Sequence, residues 1–142
     1  MSVLLLWFES MAKIYRVLLG EDDDIVGDMY QIGLEGLGWE VIRGRNGSQV
    51  IRSAGRDRPD VVLLDMHMPG ITGSAVVGAL MADLSSARIP VLLLTNEDAQ
   101  GEDVVKARAL GAKAVLQKTD TPPRLLSEVM HRTIAEAGTK PV

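Results

Sequence analysis

Charged and hydroxyl side chains follow four separate apolar segments of this 142-residue chain. Residues 21–24 are all acidic and follow the first of these segments, and Asp65 follows the apolar residues 61–64. Thr95 and Lys118 follow two later apolar segments. If the four segments are neighbouring parallel strands, their carboxyl ends meet at one edge of a sheet, where ligands bind in folds of this kind. The spacing therefore predicts one shared polar site.

These residue types favour phosphoryl transfer. Carboxylates held close together repel one another, and a hard divalent cation such as Mg²⁺, which prefers oxygen ligands, removes that penalty. With Mg²⁺ bound, a carboxylate such as Asp65 can act as a nucleophile toward a phosphoryl group. Lys118 would neutralise one phosphoryl oxygen, and Thr95 would donate a hydrogen bond to another. Phosphoryl transfer depends mainly on such positioning and charge neutralisation.

The elements that would position these residues alternate regularly along the chain. Short apolar segments separated by helical patterns predict strands at residues 14–20, 39–43, 61–64, 90–94 and 114–117. This alternation is typical of an α/β fold with a parallel sheet covered by helices on both faces. Right-handed crossovers then favour a doubly wound, five-stranded, flavodoxin-like (βα)5 arrangement.

The helical segments carry their own signals. In the first helix the apolar residues Ile25, Met29, Ile32 and Leu37 recur near helical spacing, and we expect them to form its apolar stripe. Asn46 is expected to cap the second helix. Thr121 is expected to cap the last helix, with Pro122 in its first turn.

Composition excludes several classes of protein. The absence of cysteine rules out disulfides and thiolate metal sites. A formal net charge of −4 counts against a direct nucleic-acid interface, which usually needs a clustered basic face. The apolar run at residues 3–8 is far too short to span a bilayer. We therefore expect no membrane insertion and a cytoplasmic location.

Residues 14 to about 135 resemble the receiver domain of two-component response regulators, in particular single-domain regulators of the chemotaxis type. The resemblance depends on four motifs: residues 17–23 (VLLGEDD), residues 62–70 (VLLDMHMPG) with Gly73 beyond, residues 90–95 (PVLLLT), and Gly111-Ala112 followed by Lys118. Each motif alone is moderately specific. Their order and their positions at strand ends make the resemblance strong.

The resemblance implies a role for each residue of the shared site. Asp65 would accept the phosphoryl group, and Thr95 and Lys118 would bind its oxygens. The implied Mg²⁺ ligands are Asp22, Glu21 (directly or through water), Asp65 and the backbone carbonyl of His67. The implied donor is a phosphohistidine on a sensor histidine kinase or a histidine phosphotransfer protein, and a downstream target protein would recognise the phosphorylated state. Such a domain is a signalling switch, with slow autodephosphorylation, and not an enzyme in its own right.

The chain departs from the family pattern at three positions. Thr119 stands where the family often has a proline, Val115 where it often has an aromatic switch residue, and Asn96 where a small residue is common. The expected organisation is an N-terminal extension at residues 1–13, a receiver domain at 14–137 and a tail at 138–142. Whether the chain is complete or excised from a larger regulator stays open.

Two alternative functions remain. One is a Mg²⁺-dependent phosphatase with an aspartate nucleophile, of the haloacid dehalogenase type, which needs a second acid two residues after the nucleophile. His67 occupies that position and counts against it. The other is a pseudo-receiver that only binds partners, and the joint retention of Glu21, Asp22, Asp65, Thr95 and Lys118 counts against that.

Overall fold

The computed structural model describes residues 2–5, 13–96 and 100–138. After a helical turn at residues 3–5, strands and helices alternate in the order β1 (Arg16–Gly20), α1 (Asp24–Gly36), β2 (Glu40–Gly44), α2 (Gly47–Asp57), β3 (Val61–Asp65), α3 (Gly73–Ala82), β4 (Val91–Thr95), α4 (Glu102–Leu110), β5 (Ala114–Gln117), a 3₁₀ turn (Lys118–Asp120) and α5 (Pro123–Gly138). Within the described ranges, no helix is both long and apolar enough to cross a membrane.

The five strands form one parallel sheet in the order β2-β1-β3-β4-β5. Helices α1 and α5 pack on one face, where Tyr30, Leu34, Leu126 and Met130 meet the side chains of the sheet. Helices α2, α3 and α4 cover the other face. Since β3 and β4 are buried along their whole length, both read as uninterrupted apolar runs. The predicted doubly wound α/β fold is confirmed.

The prediction of which residues form the buried face of α1 is wrong. Ile25, Met29 and Ile32 are 83%, 47% and 72% exposed, and Leu37 lies beyond the helix and is also exposed. The buried face instead carries Gly27, Tyr30 and Leu34. This face has the glycines that permit close approach, because a Cβ at Gly33 would lie only 2.6 Å from Pro123 of α5.

The helix ends agree in part with the expected caps. The side chain of Asn46 accepts a hydrogen bond from the backbone N–H of Gln49 and caps α2 as predicted. Thr121 does not act as the expected cap of α5, because its hydroxyl donates to the carbonyl of Gln117 at 2.7 Å. Helix α5 begins at Pro123, whose missing N–H costs nothing at a first helical position. Thr121 therefore stabilises the turn before the helix.

Candidate functional site

Three carboxylates converge at the carboxyl ends of β1 and β3. Glu21 follows β1 directly and is 1% exposed, Asp65 ends β3 and is 2% exposed, and Asp22 is exposed beside them. One oxygen from each of the three lies within 4.8 Å of the others. Since β1 and β3 are hydrogen-bonded neighbours, the fold itself brings together residues that are more than forty positions apart in the sequence.

Lys118 reaches this carboxylate group from the first residue after β5. Its Nζ lies 2.6 Å from Glu21 Oε1 and 3.3 Å from Asp65 Oδ2. Its side chain is largely buried, so its charge acts at short range with little screening by solvent. The lysine that was predicted from a strand-end position therefore lies in the site.

The backbone around the site orients the carboxylates. The N–H of His67 donates to Asp65 Oδ1 at 3.0 Å, and the N–H of Asp23 donates to Glu21 Oε2 at 3.4 Å. Asp23 itself caps α1, since its side chain accepts from the N–H groups of Ile25 and Val26. Asp23 is thus a helix cap, and aspartate is among the residues favoured at that position.

Thr95 ends β4, the strand next to β3, and is completely buried. The register pairs Asp65 with Leu94, so Thr95 lies one residue further toward the same edge of the sheet. Asn96 follows it and is exposed. The residues expected to bind phosphoryl oxygens, Thr95 and Lys118, thus follow the two strands on one side of β3, while Glu21 follows β1 on the other side.

The electrostatics of the site follow from burial and crowding. Burial raises the pKa of Glu21 to about 7, with further upward contributions from the hydrogen bond and the negative charge of Asp65, while Lys118 acts in the opposite direction. Burial by itself would lower the pKa of Lys118, but its hydrogen bond to Glu21 and the charge of Asp65 raise it above its usual value. The lysine therefore stays charged at neutral pH.

The donor set fits a magnesium ion. Carboxylate oxygens in a half-open cleft are hard ligands, and a hydrated Mg²⁺ typically uses only one or two of them with retained water. Asp22 is exposed and the other two carboxylates are buried, so the group has both a solvent side for water ligands and a protein side. Burial and the neighbouring Asp65 raise the pKa of Glu21 to about 7, and a bound divalent cation would favour its charged form.

The sequence-based reasoning missed Tyr30. This residue is buried in α1, and its hydroxyl lies within 3.5 Å of the carbonyl of Lys118 and 3.4 Å of that of Thr121. The signal was available, because Val26, Tyr30 and Leu34 recur at intervals of four and form a second stripe on the same helix. Which of the two stripes is buried depends on how α1 packs against α5.

Comparison with known proteins identifies the family to which this chain belongs. Residues 17–130 match the family model of the response regulator receiver domain, and the chain therefore belongs to that family of two-component signalling domains. It is 34% identical over 121 residues to the protein PilH of Pseudomonas aeruginosa, covering 84% of this chain and 95% of PilH.

Some of the other relatives are longer proteins or domains of larger proteins. The probable transcriptional regulatory protein TcrX of Mycobacterium tuberculosis is 34% identical over 116 residues, which is 82% of this chain and 47% of TcrX. Among solved structures, the receiver domain of the sensor histidine kinase PA1611 from Pseudomonas aeruginosa superposes with a TM-score of 0.78 at 27% identity, covering 87% of this chain and 99% of that one. That structure is described as having a magnesium ion coordinated in its active-site cleft.

Proposed function

We propose that this receiver domain takes a phosphoryl group from a phosphohistidine onto Asp65 with the help of Mg²⁺. The observation that carries this proposal is the surroundings of Asp65. Its buried carboxylate accepts the N–H of His67, lies 3.3 Å from the ammonium of Lys118 and shares a cluster with Glu21 and Asp22. A nucleophile held in one orientation beside a positive charge is what phosphoryl transfer requires.

Each residue of the site has a defined part in this proposal. Glu21, Asp22, Asp65 and the backbone carbonyl of His67 would hold the Mg²⁺, which when bound neutralises negative charge on the carboxylates and on the phosphoryl oxygens. Lys118 and Thr95 would bind phosphoryl oxygens as charge builds up on them. The buried position of Thr95 and the salt bridges of Lys118 support these assignments.

The chemical step is a transfer between two nucleophiles. A carboxylate oxygen of Asp65 forms a bond to phosphorus while the P–N bond to the donor histidine breaks, and the electron pair of that bond remains on the imidazole nitrogen. Slow attack of water on the acyl phosphate would later return the carboxylate and release inorganic phosphate. None of the relatives described above is a phosphatase by description.

The test is incubation with acetyl phosphate and Mg²⁺, followed by intact-mass measurement. We expect the wild type to gain one phosphoryl group and Asp65→Asn to gain none. Asp60→Asn is the matched control, because Asp60 immediately precedes β3, at its other end, and its carboxylate accepts from the N–H of Arg16. Labelling of Asp65→Asn to the level of the wild type would refute the assignment.

We also propose that the phosphodonor docks on α1. The exposed apolar stripe of Ile25, Met29 and Ile32 runs along a helix that begins two residues after Asp22. A helix of a histidine-bearing partner packed along this stripe could place its histidine near Asp65, and exposed apolar stripes of this kind mark protein-binding surfaces.

A panel of autophosphorylated histidine kinases tests this docking surface. With the kinase that transfers fastest, we expect Ile32→Ser to slow transfer at least about tenfold, whereas labelling by acetyl phosphate stays unchanged. Leu84→Ser is the control, because Leu84 is an equally apolar, exposed residue after α3. Equal transfer to the Ile32→Ser and Leu84→Ser variants would reject the α1 surface.

The remaining expectations about the domain complete the proposal. The receiver unit would occupy residues 14–137, with residues 1–13 as an extension and 138–142 as a tail, although residues 1, 6–12, 97–99 and 139–142 lie outside the described part of the chain. We propose a cytoplasmic location and a downstream target protein that recognises the phosphorylated state. The match of residues 17–130 to the receiver family supports both.

A further inference from the structure

The hydroxyl of Tyr30 connects α1 to the turn that carries Lys118. Tyr30 is 1% exposed, and its oxygen lies 3.5 Å from the carbonyl oxygen of Lys118 and 3.4 Å from that of Thr121. A phenol has one proton to donate, so it can serve either carbonyl or be shared between them. The contact joins residues that are 88 and 91 positions apart in the sequence.

The turn has few other restraints. Thr119 and Asp120, which complete the 3₁₀ turn, are exposed and bury no side chain in the core. The hydroxyl of Thr121 closes the turn by donating to the carbonyl of Gln117. Two hydroxyl groups thus contact the backbone of this turn, and the hydroxyl of Tyr30 comes from a distant element, helix α1.

The same helix also begins at the acidic part of the site. Helix α1 starts after Glu21 and Asp22 and carries Tyr30 in its second turn. The ammonium of Lys118 contacts Glu21 and Asp65, while its backbone contacts Tyr30. The ammonium of Lys118 is therefore held by residues at the ends of β1 and β3, and its backbone by a residue of α1.

We infer that Tyr30 is a positioning residue for Lys118. The hydroxyl of Tyr30 holds the turn at residues 118–120, so that the ammonium of Lys118 stays directed at Asp65. This inference rests on the proposed function, because it assumes that Lys118 binds the phosphoryl group. Burial raises the pKa of Tyr30, which keeps the hydroxyl protonated and able to donate. Phenylalanine would keep the ring in the core and remove only this donor.

The experiment compares Tyr30→Phe with Tyr15→Phe, the same chemical change at the only other tyrosine of the chain. Two quantities are measured: the rate of labelling by acetyl phosphate, and the dissociation constant of beryllofluoride by NMR titration. We expect Tyr30→Phe to lower both the rate and the affinity by roughly two- to tenfold, the effect of losing one hydrogen bond. The affinity for Mg²⁺ alone should change less than about twofold, since the carboxylates remain in place. Tyr15→Phe should match the wild type.

A double-mutant cycle separates positioning from general destabilisation. In a Lys118→Ala background, Tyr30→Phe should cause no further loss of beryllofluoride affinity, because the side chain that it positions is gone. An equal loss in both backgrounds would overturn the inference, and so would a Tyr30→Phe variant that matches the wild type while Lys118→Ala is impaired. A wild-type protein that takes up no phosphoryl group would instead refute the proposed function.

Discussion

The two ends of the parallel sheet are built in opposite ways. At the carboxyl ends of the strands, buried charges contact one another, as in the pairs of Lys118 with Glu21 and Asp65. At the amino ends lies an aromatic cluster of Tyr15, Trp39 and His131. The ring centroids of Trp39 and His131 are 4.5 Å apart, and those of Tyr15 and His131 are 5.3 Å apart.

This difference separates stability from chemistry. Burying charges costs solvation free energy that mutual attraction returns only in part, whereas aromatic packing contributes both buried area and favourable ring contacts. We therefore expect substitutions at the aromatic end to lower the free energy of unfolding and to spare phosphorylation. Substitutions at the charged end should impair phosphorylation and should not lower the free energy of unfolding.

The largest effect on stability is expected for Trp39→Ala. Trp39 is 4% exposed, and its indole N–H donates to Ser127 Oγ at 2.8 Å. Removing a buried tryptophan typically costs about 3–5 kcal/mol, and urea unfolding would measure the loss. The folded fraction should still be labelled by acetyl phosphate. Leu37→Ala, a partly exposed neighbour, is the control, and a loss for Trp39→Ala no larger than that of the control would contradict the comparison.

The sequence was sufficient to predict most of the charged end. Strands β3, β4 and β5 are short apolar runs, and the residues after them must meet at one edge because the strands are parallel. The sequence alone therefore predicts that Glu21, Asp65, Thr95 and Lys118 lie at one edge of the sheet, and their chemical roles remain predictions.

The details that the sequence did not reveal depend on packing between distant elements. Helix α1 carries two apolar stripes, and the buried one packs against the sheet and α5, where Pro123 lies close to Gly33. The contact of the Tyr30 hydroxyl with Lys118 spans the same helix interface. The aromatic cluster was missed as well, because Tyr15, Trp39 and His131 come from three separate segments.

A second prediction concerns Mg²⁺ and the charged end. If Mg²⁺ binds only to the native state, it stabilises the fold by RT ln(1 + [L]/Kd), about 2.7 kcal/mol at a hundredfold excess over Kd. The physical reason is relief of repulsion among Glu21, Asp22 and Asp65. Thermal unfolding across a Mg²⁺ titration measures the shift. Asp22→Ala is expected to lose most of it, whereas Asp28→Ala, an exposed acid further along α1, should keep it. A melting temperature that rises equally in Asp22→Ala would show that Mg²⁺ acts elsewhere.

The smallest effect is a pH dependence of stability without metal, and it again distinguishes the charged end from the aromatic end. Burial and the neighbouring Asp65 raise the pKa of Glu21 from 4.5 to about 7 in the native state. The native state thus binds this proton more tightly than the unfolded state, so the contribution of Glu21 is greatest below pH 4.5 and is lost as the pH rises through 7. In buffer with a chelator, we expect the free energy of unfolding to fall as the pH rises across this window. Lys118, whose raised pKa lies at alkaline pH, stays charged throughout.

Glu21→Gln should flatten the pH profile of the free energy of unfolding, whereas Glu40→Gln, at the other end of the sheet, should not. A wild-type stability that increases over the same window would show that Glu21 is stabilised, not penalised, as a carboxylate.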